Sequence, residues 1–143
     1  MDVEPQMNTD RSQIKGLPSA LPHYPHQGVT HGIIGGAMEV HRRLGPGFLE
    51  RVYENALAYE LRTRGLKVAA QEDIDVKYKN VVVGTYCCDL LVDGVVLCEI
   101  KATAGIDPAH EAQLINYLKA TGIKVGLLLN FGTNKLEVKR MVF

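Results

Sequence analysis

The stretch Val81–Lys101, VVVGTYCCDLLVDGVVLCEIK, decides how this 143-residue chain is read. Asp93-Gly94 is a hairpin turn signal between two runs of strand-forming residues. Both runs are apolar on two faces: Leu90 and Val92 alternate with Leu91, and Val96, Cys98 and Ile100 alternate with Val95 and Leu97. Such strands belong in the middle of a sheet that is covered on both sides. Asp89, Glu99 and Lys101 break the pattern. Residues two apart share a strand face, so Glu99 and Lys101 point the same way. Charges on covered strands are costly unless partnered, and at this point a structural ion pair and a binding site explain them equally well.

Working outward, Ile74, Val76 and Tyr78 alternate with Asp75 and Lys77 and run into a turn at Lys79-Asn80, which adds a strand before the hairpin. Further upstream, THGIIGGAMEVHRRLG predicts a helix capped by Thr30 and stopped by Gly45-Pro46. In FLERVYENALAYELRTRG, Leu49, Val52, Tyr53, Ala56, Leu57 and Leu61 recur at three and four, and Gly65 ends the helix. The short turn between the two makes them antiparallel neighbours. Downstream, Asp107 caps the helix PAHEAQLINYLKAT, which Gly122 ends. The strand VGLLLN follows by a helical crossover and is therefore parallel to its predecessor, and KLEVKRMV closes the chain. The order is ααβββαββ, an α/β sandwich.

Residues 1–28 contain Pro5, Pro18, Pro22 and Pro25 with little periodicity, which predicts a mobile tail before one domain over 29–143. The chain is 46% hydrophobic and 22% charged, as expected for a globular domain. Without a long apolar run or a secretory leader pattern, the expectation is a cytoplasmic protein with no membrane span. Cys87, Cys88 and Cys98 make neither a disulfide framework nor a spaced metal site. Sixteen basic residues balance sixteen acidic ones, so any attraction to nucleic acid has to be local. Residues 42–67 supply Arg42, Arg43, Arg51, Arg62, Arg64 and Lys67 against three acids, and Lys135, Lys139 and Arg140 lie near the end. A solvated helix face is the simpler reading of them, with phosphate contact as the alternative.

At 100° per residue, Glu50 shares the helix arc of Leu57 and Leu61 and so faces the core. Glu60 lies there too but can pair with Arg64, and Glu39 on the preceding helix is a third candidate. Two or three carboxylates with one lysine suit a hard cation such as Mg²⁺, with Mn²⁺ as a substitute. That combination performs metal-assisted phosphodiester hydrolysis.

Asp89, nine residues, then Glu99-Ile100-Lys101 resembles the D…(D/E)xK core of the PD-(D/E)XK nuclease superfamily, with Cys88 standing where the motif name has proline. GFLERVY, Gly47 to Tyr53, is similar to the signature of the GxxExxY protein family, and the likeness extends over roughly residues 31–143. The resemblance implies a restriction-endonuclease-like three-layer sandwich with a mixed central sheet flanked by helices. It implies Asp89, Glu99 and Glu50 as metal ligands, with Lys101 as the catalytic lysine. Gln113 and Tyr117 resemble the QxxxY element of helicase-associated nucleases and would support the site or meet substrate. An amphipathic core stripe accounts for them as well.

The implied function is a Mg²⁺-dependent nuclease on DNA or RNA. The alternative is a nuclease-fold nucleic-acid-binding or accessory module acting with a protein partner. A homodimer is compatible with either, since cutting both strands of a duplex needs two sites. One geometric condition is internal to the sequence. A two-residue Asp93-Gly94 loop would place Asp89 and Glu99 on opposite faces, so a shared site requires a three-residue connection with Gly94 at positive φ, or a bulge near Cys88.

Overall fold

A computed structural model describes residues 25–143. Among them are three helices and one five-stranded sheet in the order α1 (Gln27–Leu44), α2 (Glu50–Thr63), β1 (Val68–Tyr78), β2 (Val81–Val92), β3 (Val96–Lys101), α3 (Pro108–Thr121), β4 (Val125–Asn130) and β5 (Glu137–Val142). The predicted order of elements is the observed one. The tail expected over residues 1–28, with His23 in it, lies outside the described residues up to position 24.

The strands lie in sequence order, β1-β2-β3-β4-β5, with β3 and β4 parallel and the other pairs antiparallel. α1 and α2 cover one face through Ile33, Ala37, Leu57 and Leu61, which pack on Leu90, Val96, Ile100 and Leu127. α3 covers the other through Leu114, Tyr117 and Leu118 against Leu97 and Leu128. The three layers are therefore helix pair, sheet and single helix. β3 and β4 are buried almost throughout, as two-faced apolar strands require.

Helix ends follow local chemistry. Asp107 accepts from the N–H of Ala109 at 2.8 Å, and the His110 ring accepts from the N–H of Asp107 at 3.2 Å, so both partners of a capping box are present. Gly122 ends α3 at φ 76°. Thr30 does not cap α1. The helix begins at Gln27 after His26, and the buried Thr30 hydroxyl donates back to the Gln27 carbonyl at 3.1 Å. A threonine oxygen can serve an inner turn as well as a cap, so its identity alone could not locate the start.

Between α1 and α2 the chain turns through Gly47 at φ 115°, a conformation that favours glycine. Tyr53 is fully buried, stacked on Phe131 with ring centroids 4.7 Å apart, and its hydroxyl donates to the Gly45 carbonyl and accepts from the Phe48 N–H. The loop is thereby tied to the first turns of α2. At the same end of the sheet the buried Asn130 clamps the chain after β3: its Oδ1 accepts from the N–H groups of Thr103 and Gly132, and its amide donates to the Thr103 carbonyl and to Glu137. Gly132 passes so close that an added Cβ would stand 2.4 Å from the Thr103 carbonyl oxygen. Gly132→Ala should therefore cost about 2–3 kcal/mol in denaturant unfolding, whereas Gly105→Ala, where a Cβ meets nothing, should stay within about 0.5 kcal/mol of wild type.

Candidate functional site

The β2–β3 register pairs Val92 with Val96, Leu91 with Leu97 and Leu90 with Cys98, leaving Asp93, Gly94 and Val95 as a three-residue connection. Gly94 sits at φ 70° and Asp93 at φ 52°. The first of the two geometries required for a shared site is the one found. Continuing the register sets Asp89 opposite Glu99, so the two carboxylates meet across the strands.

They meet where the ladder stops. Beyond Leu90–Cys98, the N–H of Asp89 donates to Glu99 Oε2 at 3.0 Å and the N–H of Ile100 donates to Asp89 Oδ2 at 2.8 Å. Each carboxylate thus accepts from backbone of the facing strand. β1 is disturbed at the same level: Gln71, opposite Asp89, is left out of the β1–β2 pairing and takes φ 56° inside an 11-residue strand. Cys88 packs with the α3 layer while Leu90, two residues on, packs with the α1–α2 layer. The β1–β2 ribbon therefore turns over at Gln71 and Asp89, which a regular strand cannot do.

α2 brings two further acids. Glu50 is its first residue and is exposed, contrary to the core-facing position expected from its arc. It enters the helix from the exposed loop at residues 47–49, so apolar periodicity farther along α2 does not bury it. Its charge nevertheless raises the pKa of both Asp89 and Glu99, which places it toward the pair. Glu54, which the sequence reading did not single out, is the buried acid of this helix. Both its oxygens accept from the Gln71 amide, at 3.0 and 2.8 Å, and its charge also raises the Asp89 pKa. The signal was available: Glu54 stands one turn from Glu50 and three residues before Leu57, on the arc that was already drawn. Glu60 and Glu39 are not part of the site. Glu60 pairs with Arg64 at 2.8 Å, and Glu39 with Arg42 and Arg43 on the surface of α1.

Lys101 is half-buried, and its charge lowers the pKa of both Asp89 and Glu99. From α3, Tyr117 is buried beside Tyr86, with ring centroids 5.7 Å apart. Its phenol is pushed up to about 12 by burial first and then by the charges of Glu99 and Asp89, so it faces the pair. Gln113, one turn earlier, stays exposed and is not gathered in.

Burial raises Glu99 most and the Asp89 charge adds to it, bringing the carboxyl to about 8; Asp89 is raised too, chiefly by burial. The donor set is all oxygen from carboxylates, which fits a hard divalent cation that would offset the repulsion. In this conformation no three ligand-bearing side chains among the described residues are gathered closely enough to enclose an ion. The acids instead engage backbone N–H groups.

With this geometry in view, a family model described as the PD-(D/E)XK nuclease superfamily matches residues 27–141. The chain belongs to that superfamily. No curated protein and no solved structure matches it significantly. Among the described residues, no helix is long and apolar enough to cross a membrane.

A carboxyl whose folded pKa lies above its ordinary 4.5, at about 8, favours folding only while protonated in the folded state. That contribution is complete below about pH 4.5 and is lost as pH rises through about 8. Glu99→Gln, which keeps an acceptor for the Asp89 N–H, should be more stable than wild type by roughly 4 kcal/mol at pH 8 in chelator and nearly equal at pH 4.5. Thermal melts at the two pH values check this.

Proposed function

We propose that the protein is a metal-dependent nuclease of the GxxExxY type, hydrolysing phosphodiester bonds in nucleic acid at the site formed by Asp89, Glu99 and Lys101. The observation that carries this reading is the placement of two carboxylates opposite one another on adjoining strands, with a lysine two residues beyond the second. Asp89 and Glu99 would hold Mg²⁺ or Mn²⁺, with Glu50 and Glu54 reaching in from α2. The chemistry that such an ion supplies is charge neutralisation at the phosphodiester and activation of water. Lys101 would hold the attacking water or a phosphate oxygen through its ammonium donors. Tyr117, protonated throughout the neutral range, offers an O–H donor on the α3 side of the same pair. Glu50, exposed at the start of α2, would complete the cation's oxygen ligands from the helix side.

One observation favours the reading as an accessory module, namely that both acids are occupied by backbone donors rather than turned toward a common point. The two readings part in a direct assay. Purified protein incubated with labelled DNA and RNA plus Mg²⁺ or Mn²⁺ should produce cleavage. Asp89→Asn and Lys101→Ala should each reduce the rate on the order of 100-fold or more while far-ultraviolet circular dichroism stays that of wild type. Cleavage insensitive to both substitutions, or none with any substrate or metal, would overturn the nuclease reading; calorimetry showing no Mn²⁺ binding would turn the second case toward the accessory module.

A further inference from the structure

Beyond Gln71 and Asp89 the β1–β2 ribbon leaves the rest of the sheet. β3 pairs with β2 only over Leu90–Val92, so from Val81 to Cys88 the partner of β2 is β1 alone. The ribbon ends in a two-residue turn, Tyr78 opposite Val81, with Lys79 at φ 49° and Asn80 at φ 67°. Such turns favour Asn, Asp or Gly at both central positions, and a lysine at the first is unfavourable for the turn itself. An uncommon conformation kept at an apex points to use of the side chain. Lys77 through Val83 are all exposed, Lys79 Nζ lies 5.4 Å from the Tyr78 ring centroid, and no carboxylate occurs between Asp75 and Asp89. In the helices, by contrast, Arg42, Arg43 and Arg64 are paired with Glu39 and Glu60. Among the described residues, neither Lys77 nor Lys79 belongs to an ion pair.

We infer that this ribbon is a substrate-binding arm that enters the major groove of duplex DNA, an inference resting on the nuclease reading above. The groove of B-form DNA, about 12 Å wide, admits a two-stranded ribbon, while the deep, narrow groove of an RNA duplex does not. Lys77 and Lys79 meet the phosphates at the groove walls. Tyr78, Asn80 and the valines at the tip offer a hydrogen-bonding and apolar surface to base edges, including thymine methyls. Charge complementarity favours this occupant over a tip-to-tip pairing of two copies, because the tip from Lys77 to Val83 carries cations and no acid. On the α3 side the ribbon borders a cleft of about 790 Å³ to which Lys77, Asn116 and Lys119 contribute. Asp73 and Asp75 also line it, nearer the site along β1. From Gln71 to Tyr78 is seven residues, about 23 Å of strand, so the tip reaches a part of the duplex well away from the bond being cut.

The test is fluorescence anisotropy with the full chain in Ca²⁺, using a 24-base-pair DNA duplex, the same sequence as an RNA duplex, and one DNA strand. Wild type should bind the DNA duplex most tightly. Lys77→Ala/Lys79→Ala should weaken that binding about tenfold near 0.1 M salt and reduce the slope of log affinity against log salt by about 2. Charge reversal, Lys77→Glu/Lys79→Glu, should weaken it further. In cleavage assays the alanine pair should raise KM with kcat little changed, the behaviour of a contact remote from the reacting atoms. Melting temperatures should not move, because the substituted side chains are exposed. Unchanged duplex affinity and salt slope, in a protein that still cleaves DNA, would overturn the arm and leave the nuclease reading standing. Equal binding of all three probes with equal loss in the variant would overturn the major-groove assignment. Light scattering in which the variant turns a dimer into a monomer without altering DNA affinity would assign the tip to self-association instead. A wild-type protein that binds none of the probes would overturn both readings.

Discussion

Everything distinctive in the centre of this molecule follows from two carboxylates facing each other across β2 and β3. Burial disfavours their charge and the opposed like charge adds to it, which is why Glu99 is pushed up to about 8. The chain accommodates them by ending the backbone ladder. The N–H groups of Asp89 and Ile100 turn to the side chains, so each acid has a donor and the peptide groups remain satisfied. The same opening lets the ribbon turn over, because a strand no longer pinned on one side can rotate.

The helix pair serves this opening from outside. Gly47 and Tyr53 bracket the loop that starts α2, one by supplying φ 115° and the other by stacking on Phe131 and bonding the Gly45 and Phe48 backbone. With the loop tied down, Glu50 falls in the first turn and Glu54 one turn further in. The glycine, glutamate and tyrosine of the GFLERVY stretch then have separate physical roles. Two of them aim the helix, and the third is carried by it toward the acids. Gln71 completes the arrangement from β1 by holding Glu54 with a single amide while adopting the backbone angle that marks the turnover.

Element order was legible in the sequence because punctuation and period agree: Gly65, Asp107-Pro108 and Gly122 fall where alternation changes to helical spacing or back, and Asp93-Gly94 falls between two strand runs. The facing of Asp89 and Glu99 was legible only as a condition. Strands apolar on both faces do not fix their own register, and loop length decides it. The depth of the helix acids was not legible. Glu50, Glu54 and Leu57 all lie on one arc, and which is covered depends on where the sheet ends beneath the helix, a tertiary fact. The turnover of the ribbon was hidden for the same reason, since Cys88 and Leu90 look like one continuous face. Glutamine also gives no hint of a left-handed conformation, as glycine or asparagine would have done.

The distribution of support within the fold has a functional consequence. β3 and β4 are buried on both sides and tied at their ends by Asn130, so Glu99 and Lys101 sit on the most constrained part of the chain. Asp89 lies at the margin of that region, and the ribbon beyond it has exposed side chains, open edges and a tip with no helix against Val81–Val83. Local opening should therefore be easiest in the ribbon and hardest at Glu99. A site built this way keeps the geometry of one acid and the lysine fixed while the other acid can follow movement of the ribbon.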